Sequence, residues 1–377
     1  MQDTIVNRKN TYGIVRKTQI IWYESQKLKM TSSSIHTFNL DATMPQAVCK
    51  SGNRTIVSSS NFPILKGMAL YLLRLERGGI REPHWHPNAA ELSYCVRGKA
   101  IITIFGPDVS LDTFTVDQGE IAFVPRGYIH HIENIGMEEA KFVLAFNHEK
   151  PEDLGITGSL GSMPNRILDE TFNQSSNFLS QLNKGSAEDI LIGSRMDLQS
   201  SSEVRVELSR RIPNRHKFNL DGIPPQIQNA GGTVSLSNAN NFPILSGLAC
   251  YSLFLRPGGI REPHWHPNAA ELDYVVEGTA KMIILSPGGT VDSFIVKAGE
   301  IVFIPSGYLH YIESVDAEKT THFVVFFGHE RPEDIGISGS LSAYSNQVLA
   351  TLFGTDPKII DSLTRHDEDV FIVSGGA

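Results

Sequence analysis

Fifteen residues at positions 78–92, Gly-Gly-Ile-Arg-Glu-Pro-His-Trp-His-Pro-Asn-Ala-Ala-Glu-Leu, return without a change at 258–272. Whatever one copy folds into, the other must fold into as well, so the chain has to contain two equivalent units. The repeat extends well beyond those fifteen. Phe-Asn-Leu-Asp at 38–41 returns at 218–221, and Asn-Phe-Pro-Ile-Leu at 61–65 returns at 241–245, both at an offset of 180. One residue is then inserted, so that 148–153 aligns with 329–334 at an offset of 181. Two domains of similar size follow, at 31–200 and 201–377. Residues 1–30 are polar, carry several Lys and Arg and have no counterpart in the second half. They read either as a frayed tail or as an arm that docks on a partner subunit of a homo-oligomer.

Within each copy, short runs rich in Val, Ile and Phe are separated by Gly, Pro and Asp. In the first they fall at 70–75, 100–105, 110–116, 121–124 and 142–146. Their length and spacing predict an all-β fold, an antiparallel sandwich or barrel. After the last run the period changes: Ile167, Leu168, Phe172, Leu179 and Leu182 recur at helical spacing, echoed by Val348, Leu349, Phe353, Ile360 and Leu363. Each barrel is therefore expected to carry a short helical tail whose apolar face packs, in the simplest reading, against the other barrel. Residues 185–202, rich in Ser and of mixed charge, read as the linker.

A net charge of −8 offers no basic surface for a phosphate backbone, which argues against nucleic acid as a partner. Three cysteines without a CxxC pair argue for a reducing compartment, and no apolar run at the N-terminus is long enough for a signal core or a membrane span. A cytoplasmic location is the expectation.

The repeated segment also carries chemistry. His84 and His86 stand at i and i+2, so on a strand both imidazoles leave one face, and Glu91 follows five residues later. His130 lies 46 residues beyond His84. His264, His266, Glu271 and His310 reproduce the set at the same spacing. Three imidazole nitrogens and one carboxylate make a hard-to-borderline donor set suited to a divalent transition metal. Complete duplication at matched spacing makes coincidence a poor explanation.

The spacing is more telling than the residue types. Gly78, His84, His86, Glu91 and Gly98, then Gly119, Pro125, Gly127, His130 and Asn134, resemble the two motifs of the cupin superfamily at every position. The second copy matches with Gly258, His264, His266, Glu271, Gly278, Gly299, Pro305, Gly307 and His310, departing only where Ser314 replaces the Asn. Two such domains in one chain, with Arg-Glu-Pro-His-Trp-His in each, are similar to bicupins of the oxalate decarboxylase type. The resemblance implies two tandem double-stranded β-helix (jelly-roll) barrels, each with a metal inside. The metal implied is manganese, two ions per chain, although iron, zinc, nickel and cobalt also suit the donors. It further implies a small carboxylate such as oxalate as substrate, with dioxygen as redox partner. Arg81 and Arg261, three residues before each first His, stand where the family places a guanidinium that grips the substrate. Arg can pair with a carboxylate through two parallel N–H groups. The plainer reading is an Arg paired with an acid such as Glu82. Tyr94 and Tyr274 read as core aromatics.

One stretch departs from the family. Its decarboxylases carry a Glu in a mobile Ser-Glu-Asn-Ser-Thr lid, whereas the comparable residues here are Ile156-Thr157-Gly158-Ser159-Leu160 and Ile337-Ser338-Gly339-Ser340-Leu341, without a carboxylate. Gly158 leaves the first stretch room to move. Glu152 and Asp153 lie just upstream in a repeated Pro-Glu-Asp turn, whose plain role is turn formation or helix capping. Asp273 shares a strand face with Glu271 where the first copy has Ser93, so it enters either as a general acid/base of the second cavity or as a partnered structural Asp. Three functions remain in view: a decarboxylase-like enzyme, an oxidase or dioxygenase, and a metal-dependent small-molecule binding protein without turnover.

Overall fold

The computed structural model describes residues 34–174, 179–182, 184–185, 192–194 and 214–375. The N-terminal segment 1–30 and most of the linker lie outside the described residues.

Each half forms two antiparallel sheets that close over a shared interior. In the first half one sheet is seven-stranded and centres on Glu91–Arg97, flanked by Ile121–Val124 and Ala140–Phe146, and continues through Ala69–Leu75 to Gly52–Val57. The facing sheet runs Leu154–Gly155, Gly79–Trp85, Ile129–Asn134, Lys99–Phe105, Leu111–Asp117. The second half repeats this order from Ile227–Asn229 to Ile335–Gly336. The runs read from the sequence lie in these strands, because alternation puts one set of apolar side chains inside the barrel. Along Ala69–Leu75, Tyr71, Leu73 and Leu75 enter the first barrel's core, while Leu70 and Leu72 face outward into a second apolar layer.

That second layer belongs to both halves. Leu70, Leu72, Tyr94, Phe123 and Val143 of the first half pack with Cys250, Leu272, Tyr274, Phe303 and Phe326 of the second, so the seven-stranded sheets meet face to face. A strand buried on both faces has little freedom of register, and it carries Glu91 or Glu271 at its start.

The halves also exchange arms. Thr37–Asn39 pairs with Glu300–Ile304 of the second barrel, and Lys217–Phe218 pairs with Ile121–Val124 of the first. The repeated Phe-Asn-Leu-Asp is thus the strand each domain lends to the other. Asp221 packs on Gly119, and Asp41 on Gly299, so closely that a Cβ at either glycine would lie 2.8 or 2.7 Å from the Asp Cβ. Both glycines also have positive φ, +82° and +88°, so a side chain there would be strained as well as crowded.

Short helices follow each barrel, at Ile156–Gly161 and Asn165–Thr171 and at Ile337–Ser342, Asn346–Phe353 and Pro357–Ile360. Their apolar faces are not covered by the other barrel. Leu168, Leu349 and Ile360 are buried, but Ile167, Phe172, Val348, Leu352, Phe353 and Ile359 are exposed. No helix among the described residues is long and apolar enough to cross a membrane.

Candidate metal centres

His84 comes from Gly79–Trp85 and His86 from just past its end. Glu91 opens the neighbouring sheet's central strand, and His130 sits opposite His84 on Ile129–Asn134. Their donor atoms all lie within 4.8 Å of one another, as do those of His264, His266, Glu271 and His310, and all eight side chains are buried. Glu91 Oε2 lies 3.2 Å from His86 Nε2 and 3.3 Å from His130 Nε2; Glu271 Oε2 lies 2.8 and 3.3 Å from the Nε2 atoms of His266 and His310.

The backbone sets the tautomers. Every Nδ1 is hydrogen-bonded to a main-chain carbonyl: His84 to Glu82 at 2.8 Å, His86 to Glu152 at 2.7 Å and His130 to Tyr128 at 3.2 Å. In the second centre the acceptors are Glu262 at 2.7 Å, Glu333 at 2.7 Å and Tyr308 at 2.9 Å. With Nδ1–H donated outward, each Nε2 turns a free lone pair inward, the arrangement a metal-binding His requires. Burial, then the neighbouring arginine, pushes His84 and His264 well below their ordinary pKa and keeps them neutral. Burial would raise Glu91 and Glu271, but without a metal the facing histidines, His130 and His310 first, supply the charge and the Nε2–H groups that lower both carboxylates, and Glu271 in turn raises His266; a cation would take the place of those protons.

A metal fits this set on an observation apart from the donor types. His266 Nε2, His310 Nε2 and Glu271 Oε2 are buried and have no hydrogen-bond partner among the described residues. Buried polar atoms without partners are costly, and a divalent cation satisfies all three at once.

Arg81 reaches the same wall as His84 because of a β-bulge. Residues three apart on a regular strand face opposite ways. Here the register shifts between the pairs His130–His84 and Ile132–Arg81, and the unpaired residue falls at Glu82-Pro83. Pro83 has no N–H to lose at that point. Arg261 and His264 are related by the same shift. Each guanidinium is engaged. Arg81 Nη2 donates to both oxygens of Asp153, at 2.7 and 2.8 Å, and Arg54 Nη1 donates to the same carboxylate. Arg261 pairs with Asp334. The Pro-Glu-Asp turn therefore does more than turn: its Glu carbonyl orients the second His, and its Asp anchors the Arg. Arg54 and Arg81 lie in strands of mixed polarity, so their burial, and with it the need for a counter-charge, shows only in the fold.

Asp273 is fully buried beside Glu271 and is not among the side chains lining the second cavity. Burial, and then the Glu271 charge, raises its carboxyl well above the ordinary range, so it keeps its proton. In the first barrel the Ser93 hydroxyl donates to Glu91 Oε1 at 2.7 Å. Asp273 stands at the corresponding position beside Glu271, with neither of its oxygens hydrogen-bonded among the described residues. The lid-equivalent stretch is helical, and its Thr157 N–H and hydroxyl donate to Glu82 Oε2 at 3.0 and 2.7 Å; Ser338 N–H likewise donates to Glu262. The stretch to which Gly158 left room to move is a turn of helix held by these bonds. Asn134 bonds the Leu75 and Glu138 carbonyls and Ser314 bonds Thr321, so neither is a ligand. Tyr94 and Tyr274 are core residues whose hydroxyls cross the seam to Asp221 and Asp41.

A family model described as Cupin matches residues 38–180 and 218–361. The chain belongs to the cupin family. It is a bicupin of the oxalate decarboxylase type. Oxalate decarboxylase OxdC of Bacillus subtilis (strain 168) is 28% identical over 327 residues, covering 85% of this chain and 83% of that protein. An oxalate decarboxylase of Arthroderma benhamiae is 26% identical over 329 residues, covering 81% and 77%. A solved structure of the Bacillus subtilis enzyme, from work on its Mn(II) centres, superposes with a TM-score of 0.79 at 25% identity, covering 100% of this chain and 98% of that one. The bicupin thus has two tandem barrels with a complete metal-binding set in each.

Proposed function

We propose that this bicupin is a manganese enzyme acting on oxalate or another small carboxylate. The observation that carries the reading is the convergence of three imidazoles and one carboxylate, their donor atoms within 4.8 Å of one another, with a buried arginine three residues before the first His, built twice. His84, His86, Glu91 and His130 would hold one ion and His264, His266, Glu271 and His310 the other. When bound, divalent manganese would supply Lewis-acid polarisation of a carboxylate oxygen and one-electron chemistry with dioxygen. The protein's own part is positional. The three Nδ1 bonds fix the imidazoles, Asp153 aims Arg81 at the substrate's far carboxylate, and Phe146 and Phe327, edge-on to His86 and His266 at 4.8 Å, keep the walls apolar. Asp273 would hold a proton against Glu271 in the second centre. The reducing character implied by three free cysteines supports a cytoplasmic setting. The exposed apolar side chains of the helical tails support a homo-oligomer.

The lid-equivalent stretch favours a second reading. Its relatives place a carboxylic acid there, and Ile156-Thr157-Gly158-Ser159-Leu160 has none. A centre that binds the carboxylate but lacks that acid would make formate slowly and suits an oxidase or dioxygenase. Protein purified without added metal is expected to hold two manganese ions per chain, with His84→Ala removing one and His264→Ala the other while both variants stay folded. Product analysis with oxalate then separates the readings: carbon dioxide with formate, hydrogen peroxide, or nothing. Grafting Ser-Glu-Asn-Ser-Thr into 156–160 should raise formate production at least a hundredfold if only the acid is missing. Unchanged metal content in both His variants would end the metal reading.

A further inference from the structure

Asp112 and Asp292 occupy the same place in the two barrels, 180 positions apart, and each faces the arm lent by the other half. At the first, the arm supplies a cation: Arg215 Nε lies 3.7 Å and His216 Nε2 3.2 Å from Asp112 Oδ2. At the second, Ile35 stands in the place of Arg215. His36, the counterpart of His216, keeps the bond to the main chain. Its Nδ1–H donates to the Phe303 carbonyl at 2.8 Å, as that of His216 does to Phe123 at 2.9 Å. Its Nε2 is therefore an acceptor, and burial pushes the His36 pKa down, so the ring stays neutral. That Nε2 lies 3.9 Å from Asp292 Oδ2 and, although His36 is fully buried, has no hydrogen-bond partner among the described residues. Asp292 Oδ2 accepts from the Ser34 hydroxyl at 3.0 Å, a neutral donor where its twin has a guanidinium.

Both acceptors line a cavity of about 690 Å³ between the arm and the second barrel. Small-molecule sites typically measure about 300–1,000 Å³. The wall opposite the arm is fixed by another duty: Pro305 and Tyr308 belong to the turn whose Tyr308 carbonyl orients His310. The Tyr308 ring stands edge-on to His36, with centroids 6.2 Å apart, and Ile35 and Ile64 add apolar surface. Lys66 also lines the cavity, but it is exposed and water screens its charge.

An imidazole lone pair and a carboxylate 3.9 Å apart both call for a donor, and the contrast with Asp112 says that the donor should be charged. A transition metal would want a third protein ligand, and among the described residues no other His, Cys, Asp or Glu joins these two. A primary ammonium carries three N–H groups on one charge and can serve both acceptors at once.

We propose that this cavity is a binding site for a small organic ligand bearing a primary ammonium group, which takes at Asp292 and His36 the place that Arg215 takes at Asp112. The site is separate from both metal centres and stands whatever their substrate is. Calorimetric titration of the full-length, metal-loaded protein with benzylamine and with benzyl alcohol, which share a shape and differ in charge, tests it. Benzylamine should saturate one site per chain and bind about tenfold or more tighter than the alcohol, the worth of a charged hydrogen bond. Asp292→Asn should lose that advantage. Ile35→Arg, at an exposed position, gives the second half the cation of the first and should abolish binding, whereas Asp112→Asn should leave it unchanged. Absence of saturable benzylamine binding overturns the proposal, as does equal affinity for the alcohol. Binding that survives either Asp292→Asn or Ile35→Arg, or that Asp112→Asn also removes, overturns it too, because the ammonium would then sit elsewhere.

Discussion

His84, His86 and His130 give their Nδ1 atoms to the carbonyls of Glu82, Glu152 and Tyr128, and in the second barrel the carbonyls of Glu262, Glu333 and Tyr308 take the same roles at closely similar lengths. One residue further out the centres part company. Asp153 anchors two arginines, Arg54 and Arg81, but Asp334 anchors one, because Val234 stands where Arg54 would be. Ser93 donates to the first metal carboxylate, and the buried Asp273 adjoins the second. What is oriented by main-chain atoms has stayed the same in both halves. What is oriented by side chains has diverged, and that is where any difference in reactivity must arise, since matched ligands leave only their neighbours to tune them.

Breaking the Asp anchors should give the largest effect and the clearest contrast. Asp153→Asn leaves two buried guanidiniums without their counter-charge, and loss of one partner from such a pair typically costs about 3–5 kcal/mol. Asp334→Asn should cost less, because a single arginine is affected and Phe371 still covers it. Burial alone would raise the Asp153 pKa, but Arg81 and Arg54 outweigh it and bring it down to about 2. A folded pKa below the unfolded one means that this stabilisation is complete above the unfolded carboxylate value and is lost as pH falls through about 4 towards 2; a depression of roughly two units corresponds to about 2–3 kcal/mol. Urea denaturation of the metal-free proteins should show the gap between native and Asp153→Asn narrowing across that window. A gap that does not change with pH would mean that Asp153 is not the ionised anchor.

The duplicated ligands, the strands at 70–75, 100–105 and 142–146 and the helical tails were all legible in the sequence, because each rests on local periodicity or spacing. The arm exchange was not. Phe-Asn-Leu-Asp reads the same whichever barrel it joins, and only the tight approach of Asp41 to Gly299 and of Asp221 to Gly119 decides the partner. Nor was the anchoring role of Asp153, whose place in a Pro-Glu-Asp turn offers a local explanation that hides a contact with Arg54, 99 residues away. Arg81 was singled out by resemblance, while the bulge at Pro83 that turns it inward depends on cross-strand register. The tail helices were read correctly as amphipathic, but periodicity does not say what an apolar face meets, and here the barrels leave much of it exposed.

Asp273 sharpens the comparison at a smaller scale. If its retained proton serves Glu271 as the Ser93 hydroxyl serves Glu91, Asp273→Ala should weaken only the second metal ion, by about ten- to a hundredfold, the usual effect of removing a ligand's hydrogen-bond partner. Asp273→Asn keeps an N–H donor and should retain the metal, and Ser93→Ala should weaken only the first. Competition with a calibrated chelator reads all three. If Asp273→Asn keeps full metal but turns over a hundredfold more slowly, Asp273 transfers protons in the reaction and is more than a donor to the ligand.

The smallest effects belong to the seam, where the same tyrosine–aspartate pair sits in two electrostatic settings. Tyr274 and Asp41 are joined by Lys141, which donates to the carboxylate at 2.6 Å and to the phenol at 2.7 Å, and by Arg74 at 3.3 Å. The counterparts of Lys141 and Arg74 around Tyr94 and Asp221 are His322 and Phe254, stacked on one another at 4.0 Å. Burial pushes His322 down to about 3, so that it brings no charge, and it pushes Asp221 up. Tyr94 donates to Asp221 at 2.7 Å without a cation to share the load. Tyr94→Phe should therefore cost about 1–2 kcal/mol, the typical cost of leaving a buried acceptor short of a donor. Tyr274→Phe should cost well under half of that, since Asp41 keeps both cations. Salt should separate the two further: screening weakens the partly exposed Lys141–Asp41–Arg74 group and leaves the Tyr94–Asp221 bond nearly unchanged. Denaturation midpoints at about 0.05 and 0.5 M salt would show this as a salt-dependent penalty for Tyr274→Phe and a salt-independent one for Tyr94→Phe. Equal penalties with equal salt response would mean that the cations contribute nothing to the seam and that its two ends are alike after all.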